Sequence, residues 1–242
     1  MKLILSRAIG ELSRLALLAL AISSPAAAAP PDPRPLAFEE NRGQTDPNVL
    51  FFSRTPEFEL YLTLSEAVLV PSAGPGALHL RWLDADPAPR VKTEGKLSGR
   101  VQFFLGKKPA GFQIEAPLWS RVRLERLWPG IDLELSGTAR ELEQDFVVAP
   151  RADPARIVLA LDGAERAQID DAGNLILALM DGGELRLRKP AAWQEIGKTR
   201  REVPCGFRLL PGNRLTFTPE AWDRTRPLVI DPVVVQEGSS FQ

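Results

Sequence analysis

One cysteine and one histidine among 242 residues exclude much of the chemistry those side chains carry. Cys205 has no second thiol to bond, so the chain closes no internal disulfide, and one His with one Cys cannot supply the three or four ligands of a zinc site. Stability must then come from burial. A chain of this size buries roughly 70% of its extended surface, enough for a core without staples. Excess charge of either sign is also missing, with 30 Lys and Arg against 31 Asp and Glu, and no basic face or like-charge block marks a nucleic-acid partner or a solvating tail. There is no Gly-x-Ser-x-Gly element. No apolar run approaches the roughly 20 residues of a membrane span. Cys205 itself sits in Val203-Pro204-Cys205-Gly206-Phe207 and reads as a small buried hydrophobe rather than a reactive thiol.

What is present begins with export. Lys2, Arg7 and Arg14 precede the apolar run Leu15 to Ile22, and Ser23-Ser24-Pro25 and four alanines follow. Basic start, short apolar core and small-residue end are the order of a secretory signal peptide, with cleavage expected after Ala28. Losing Lys2, Arg7, Arg14 and Glu11 takes the counts from 30 and 31 to 27 basic and 30 acidic residues, so the mature chain is nearly neutral. Residues 29–35 hold four prolines and read as a stiff spacer, 36–235 as one domain, and 236–242 as a tail. Because the lone cysteine lies far from the cleavage point, no lipid anchor is expected. Nor is a transmembrane segment expected in the mature chain. The expected location is the periplasm, the cell surface or the medium.

Within 36–235 the dominant period is two. Phe58, Leu60 and Leu62 alternate with Glu57, Glu59, Tyr61 and Thr63, and the pattern returns at Leu78–Trp82, Val122–Glu125, Ile131–Leu135 and Leu185–Arg188. Turn chemistry at Asp171-Ala172-Gly173-Asn174, Asp181-Gly182-Gly183 and Pro211-Gly212-Asn213 separates such runs by hairpin-sized gaps, so residues 157–217 read as a meander. Twenty-two prolines and eighteen glycines leave little room for a long helix. The expected fold is all-β and antiparallel, with a dozen or more short strands in two packed or strongly curled, sandwich-like sheets. Residues 84–98, with Pro87, Pro89 and Gly95, read as a long surface loop or a hinge between sheets.

Candidate sites are few. Glu141, Glu143 and Asp145 alternate on one strand face, with neighbours roughly 6.6 Å apart, a spacing within the range of an inverting glycosidase's carboxylates. Two side chains on one face do not make a cleft, and pairing with Arg121 and Arg123 or Arg186 and Arg188 is the simpler reading. His79, the sole base for a Ser or Cys nucleophile, reads as an exposed strand residue. Asp170 to Asn174 offers oxygen ligands for calcium but equally suits a hairpin. Trp82, Trp119, Trp128, Trp193 and Trp222 could form a sugar platform only where exposed, and Trp82 and Trp128 read as packing. In Glu40-Asn41-Arg42-Gly43-Gln44, Arg42 either clamps a ligand's carboxylate or hydroxyl or pairs with an acid such as Asp231 to join the domain's ends. No catalytic residue, cofactor or metal ligand is assigned. The expected partner is an envelope protein or glycan.

Several segments carry a resemblance. These are Phe38-Glu39-Glu40-Asn41-Arg42-Gly43-Gln44-Thr45-Asp46, Phe103-Phe104-Leu105-Gly106, Trp128-Pro129-Gly130-Ile131-Asp132-Leu133, Leu142 to Pro150, Ala152-Asp153-Pro154 and Arg226 to Pro232. In order and spacing the chain resembles a bacterial domain of unknown function found at the N-terminus of SBBP-repeat β-propeller surface proteins. The resemblance implies an exported, all-β module without assigned chemistry, usually followed by a propeller. Relatives run on from the Ile230-Asp231-Pro232 element into repeats, whereas this sequence ends at Gln242. Three roles follow as expectations: a non-catalytic module for binding, adhesion or support, a carbohydrate-active hydrolase using the strand carboxylates, and a docking domain for a separately encoded propeller.

Overall fold

A computed structural model describes residues 34–105 and 112–235. The signal segment with Ala28, most of the proline-rich spacer and the tail lie outside the described residues. Strands account for most of what is described. The first five are β1 (Phe38–Glu40), β2 (Phe51–Arg54), β3 (Phe58–Leu62), β4 (Glu66–Pro71) and β5 (Leu78–Trp82). A long ribbon follows, β6 (Arg90–Leu105) and β7 (Phe112–Trp128), then β8 (Ile131–Gly137) and β9 (Glu141–Val148). After a three-residue 3-10 turn at Pro154–Arg156 come β10 (Leu159–Asp162), β11 (Ala164–Ile169), β12 (Leu175–Leu179), β13 (Glu184–Leu187) and β14 (Ala191–Ile196). The last are β15 (Thr199–Glu202), β16 (Phe207–Leu210), β17 (Arg214–Phe217), β18 (Leu228–Asp231) and β19 (Val233–Val235). Among the described residues there is no α-helix, and no helix is long and apolar enough to cross a membrane.

These nineteen strands pair antiparallel into one sheet curled nearly into a barrel. From β9 one edge leads through β8, β7, β1, β2, β3, β4 and β5 to β10. The other edge leads through β19, β13 and β12 to β11. The two routes meet where β10 runs into β11 at Gly163. The backbone turns there with φ +90°, and a side chain would strike the Ala77 carbonyl oxygen. Of the two expected arrangements, the strongly curled sheet is the one observed.

Period-two alternation places the core inside this wall. Leu60, Leu62, Leu69, Leu78, Leu80, Leu124, Leu133 and Leu142 are fully buried, each from the apolar side of its strand. Trp128, Phe146, Phe217 and Phe207 form a chain of tilted rings with centroids 6.1, 5.3 and 5.8 Å apart, tying β7 and β9 to the β16–β17 hairpin. Trp128 also donates its indole N–H to the Leu83 carbonyl at 2.8 Å.

Two expectations are corrected. Residues 84–98 are not one loop: only the stretch before Arg90 is irregular, and Arg90–Ser98 belongs to β6. Its polar composition hides the strand, which forms because each residue from Arg90 to Glu94 is in register with β7. Nor is 157–217 a continuous meander. β11, β12 and β13 follow one another as hairpins, but β13 and β14 run on past Pro190 to pair with β19 and β18, and β10 pairs with β5 and β17 instead of β11.

Candidate functional site

Outward-facing residues of β7, β8, β9 and β18 form one polar surface. Val122, Leu124, Leu133, Leu135, Leu142 and Phe146 point into the core, so Arg121, Arg123, Asp132, Glu134, Glu143 and Asp145 stand on the opposite face. Charges between β7 and β8 are matched: Arg121 Nε lies 2.8 Å from Glu134 Oε1, and Arg123 Nε 3.2 Å from Asp132 Oδ2. In the expected carboxylate row, Glu141 takes Arg188 Nη2 at 2.6 Å, while Glu143 Oε2 accepts from Ser136 Oγ at 2.9 Å. Arg188 is thus where the alternation placed it, whereas Arg121 and Arg123 pair with β8 and not with the row.

Asp145 differs from its neighbours in the row. Ile230 is in register with Phe146, so Asp231 on β18 stands directly across from Asp145 on β9. Each of these carboxyls has a buried Oδ1 without a protein partner. Burial pushes Asp145 up to about 7, helped by the negative charges of Asp231, Glu134 and Glu143. Burial likewise pushes Asp231 up to about 6, with Glu143 adding to it. The juxtaposition was not visible in sequence. Nothing local to Asp145 announces that β18, far along the chain, will lie beside it.

The polar segment after β1 makes a tight turn organised by Asn41. Its Nδ2 donates to the carbonyls of Asp46 and Val49, both at 2.8 Å, and its Oδ1 accepts from the N–H groups of Gly43 and Gln44 at 3.0 and 3.1 Å. Gln44 Nε2 donates to Glu39 Oε1 at 2.9 Å and to the Glu40 carbonyl at 3.0 Å. Arg42 pairs at 3.4 Å with Glu40, not with Asp231. That expected tie between the ends fails because β18 holds Asp231 between β9 and β14, on another part of the sheet. The ends do approach one another: Pro35 bridges Thr138 at one side of the β8–β9 turn, and Val235 is in register with Glu141 at the other.

Two grooves border this turn, and a third lies further along the β6 ribbon. One of about 740 Å³ is lined by Asn41, Gly43, Val49, Leu50, Val91 and Thr93. A second, about 550 Å³, has Arg42, Lys96, Leu97 and Gly99 in its wall, and a third, about 600 Å³, shares Leu97 and Gly99 with it. The second and third share a bulge in β6. Between Lys96 and Arg100 three residues face the single Leu118 of β7, and Gly95 just before it has φ +64°.

Comparison with known proteins adds one fact at this point. Residues 38–233 match the family described as domain of unknown function (DUF7948). The chain belongs to that family. No curated protein matches it, and no solved structure does.

The remaining candidates have structural uses in this DUF7948 domain. His79 Nδ1 lies 3.0 Å from Glu66 Oε2 on the neighbouring strand. Asp170 accepts from the N–H and the side-chain amide of Asn174 at 2.8 and 3.0 Å, closing the β11–β12 hairpin, and these bonds hold its carboxyl below the usual range. Cys205 is buried, and burial pushes its thiol up to about 11. Trp82 and Trp128 are buried in the core, and Trp193 is half-buried with the Arg200 guanidinium 4.6 Å from its ring centroid.

Proposed function

We propose that this domain is an exported, non-catalytic module that binds an envelope protein or glycan, for adhesion or support, through the grooves around Glu40–Gln44. The observation that carries this reading is the coincidence of the most distinctive polar segment with two grooves, one lined by Glu40, Asn41 and Gly43 and the other by Arg42 against the β6 bulge. Loops and bulges at a sheet's margin are where rigid β scaffolds place recognition. Nothing in these linings calls for a reacting group. Val49, Leu50 and Val91 offer apolar contact, Asn41 and Thr93 are neutral, and Arg42, Lys96 and Glu115 bring both signs of charge to the second groove. Export rests on the first 28 residues, with cleavage after Ala28 delivering the chain to the periplasm, surface or medium. The resemblance to the leading domain of SBBP-repeat proteins favours a β-propeller as the protein partner.

One observation favours a hydrolase instead. Asp145, pushed up to about 7, would hold a proton as a general acid does, with Glu143 next to it on the same face. The placement speaks against it, because acid and base must flank a scissile bond from two sides. A single experiment weighs both readings. Protein recovered from a bacterial envelope should begin at Ala29 and release no sugar from a glycan panel. Turnover that Glu143→Gln abolishes would establish the hydrolase, and a chain still beginning at Met1 would contradict export.

A further inference from the structure

Charged side chains on the outer face of the barrel find partners across the strands: Arg81 pairs with Asp162, Arg121 with Glu134 and Arg188 with Glu141. One cleft departs from this. It measures about 650 Å³ and lies against the β14–β15 hairpin and the end of β18, between the links Lys189-Pro190 and Val203-Pro204-Cys205. Lys189, Arg200, Glu202 and Asp231 all line it, and among the described residues none of these four side chains has an ion-pair partner. Asp231 Oδ1 is buried there without a hydrogen bond. Unspent polar groups gathered in a concave site are what a ligand with its own donors and acceptors would use.

The fold holds these groups in position. Asp231 stands opposite the small Ala191, and its neighbour Ile230 is anchored in the core. Arg200 is in register with Glu195 but stacks on Trp193, with its guanidinium carbon 4.6 Å from the ring centroid. That contact orients the guanidinium and leaves its N–H groups for another acceptor. Lys189 donates its backbone N–H to Asn174 Oδ1 at 3.0 Å, and Asn174 is itself held by Asp170.

We propose that this cleft binds a neutral saccharide, its hydroxyls bridging Asp231 and Arg200 and its C–H groups resting on the apolar wall of Trp193, Pro190 and Pro204. Charge decides the ligand class. Two cations and two carboxyls line the cleft, so an anionic ligand meets Glu202 and Asp231 while a cationic one meets Lys189 and Arg200. A purely apolar ligand would strip water from all four and return no hydrogen bond. A neutral sugar avoids both penalties, because each hydroxyl donates to a carboxylate and accepts from a guanidinium or ammonium. Its ring also carries an apolar side inside a polar rim, as the cleft does. The cleft shares no lining residue with the grooves around Glu40–Gln44, so it is a second site that stands or falls independently of them.

Titration of the full chain with a panel of oligosaccharides, followed by NMR through the indole N–H signals, tests the site. Trp193→Phe assigns the Trp193 signal. At least one neutral oligomer of glucose, galactose, mannose or N-acetylglucosamine should shift that signal saturably, and should bind more tightly than oligomers of glucuronic acid or glucosamine. Arg200→Ala and Asp231→Asn should each weaken the binding at least about tenfold. Should Asp231→Asn fail to fold, Arg200→Ala and Glu202→Gln, both at exposed positions, decide in its place. No shift at Trp193 with any neutral oligomer, tighter binding of a charged one, or binding that the variants leave unchanged would overturn the site.

Discussion

Asn41 and Arg42 are neighbours with opposite duties. Asn41 spends every polar atom of its side chain on the backbone of its own turn, so Asn41→Ala leaves two carbonyls and three N–H groups to find other partners. The expected cost is about 2 kcal/mol, seen in thermal denaturation as a fall of several degrees. Arg42 makes one exposed pair with Glu40. Arg42→Ala should stay within about 0.5 kcal/mol of wild type. Were Arg42→Ala the more destabilising of the two, the division between a structural Asn and an available Arg would be wrong. Asp145 gives the matching lesson for acids. Its carboxyl is pushed up first by burial and then by Asp231, brought opposite by the pairing of β9 and β18.

Elements were legible where the two faces of a strand differ. Phe58, Leu60 and Leu62 announce β3, and the Asp-Ala-Gly-Asn and Asp-Gly-Gly turns announce the hairpins on either side of β12. β6 was not legible, since Lys92, Thr93 and Glu94 form a strand only because β7 supplies a partner. Pairing itself is non-local. β10 leaves its sequence neighbours for β5 and β17, and no period in the sequence encodes that choice. For the candidate site, the carboxylate row and the distinctive turn were readable, but Arg42's partner and the Asp145–Asp231 opposition were not. Gly163 is where the two arms of the sheet join, and its φ of +90° admits no ordinary side chain. Gly163→Ala should therefore cost more than about 1 kcal/mol, each kcal/mol lowering Tm by about 2–4 °C. An unchanged Tm would mean that the β10–β11 corner does not constrain the barrel.

At the scale of the molecule, the interior is filled with side chains, and the grooves lie outside it, between the β1–β2 turn and the bulged ribbon. A packed barrel of this kind is a support for surfaces. Under the proposed function the DUF7948 domain acts through what its rim presents. The most direct measurement is photo-cross-linking in the native envelope from two positions, Thr93 in the groove and Glu143 on the outer face, with the partner identified by mass. Binding through the groove gives one defined cross-linked species from Thr93, a propeller being the favoured identity, and none from Glu143. A species formed from Glu143 and not from Thr93, or none from either, would contradict it.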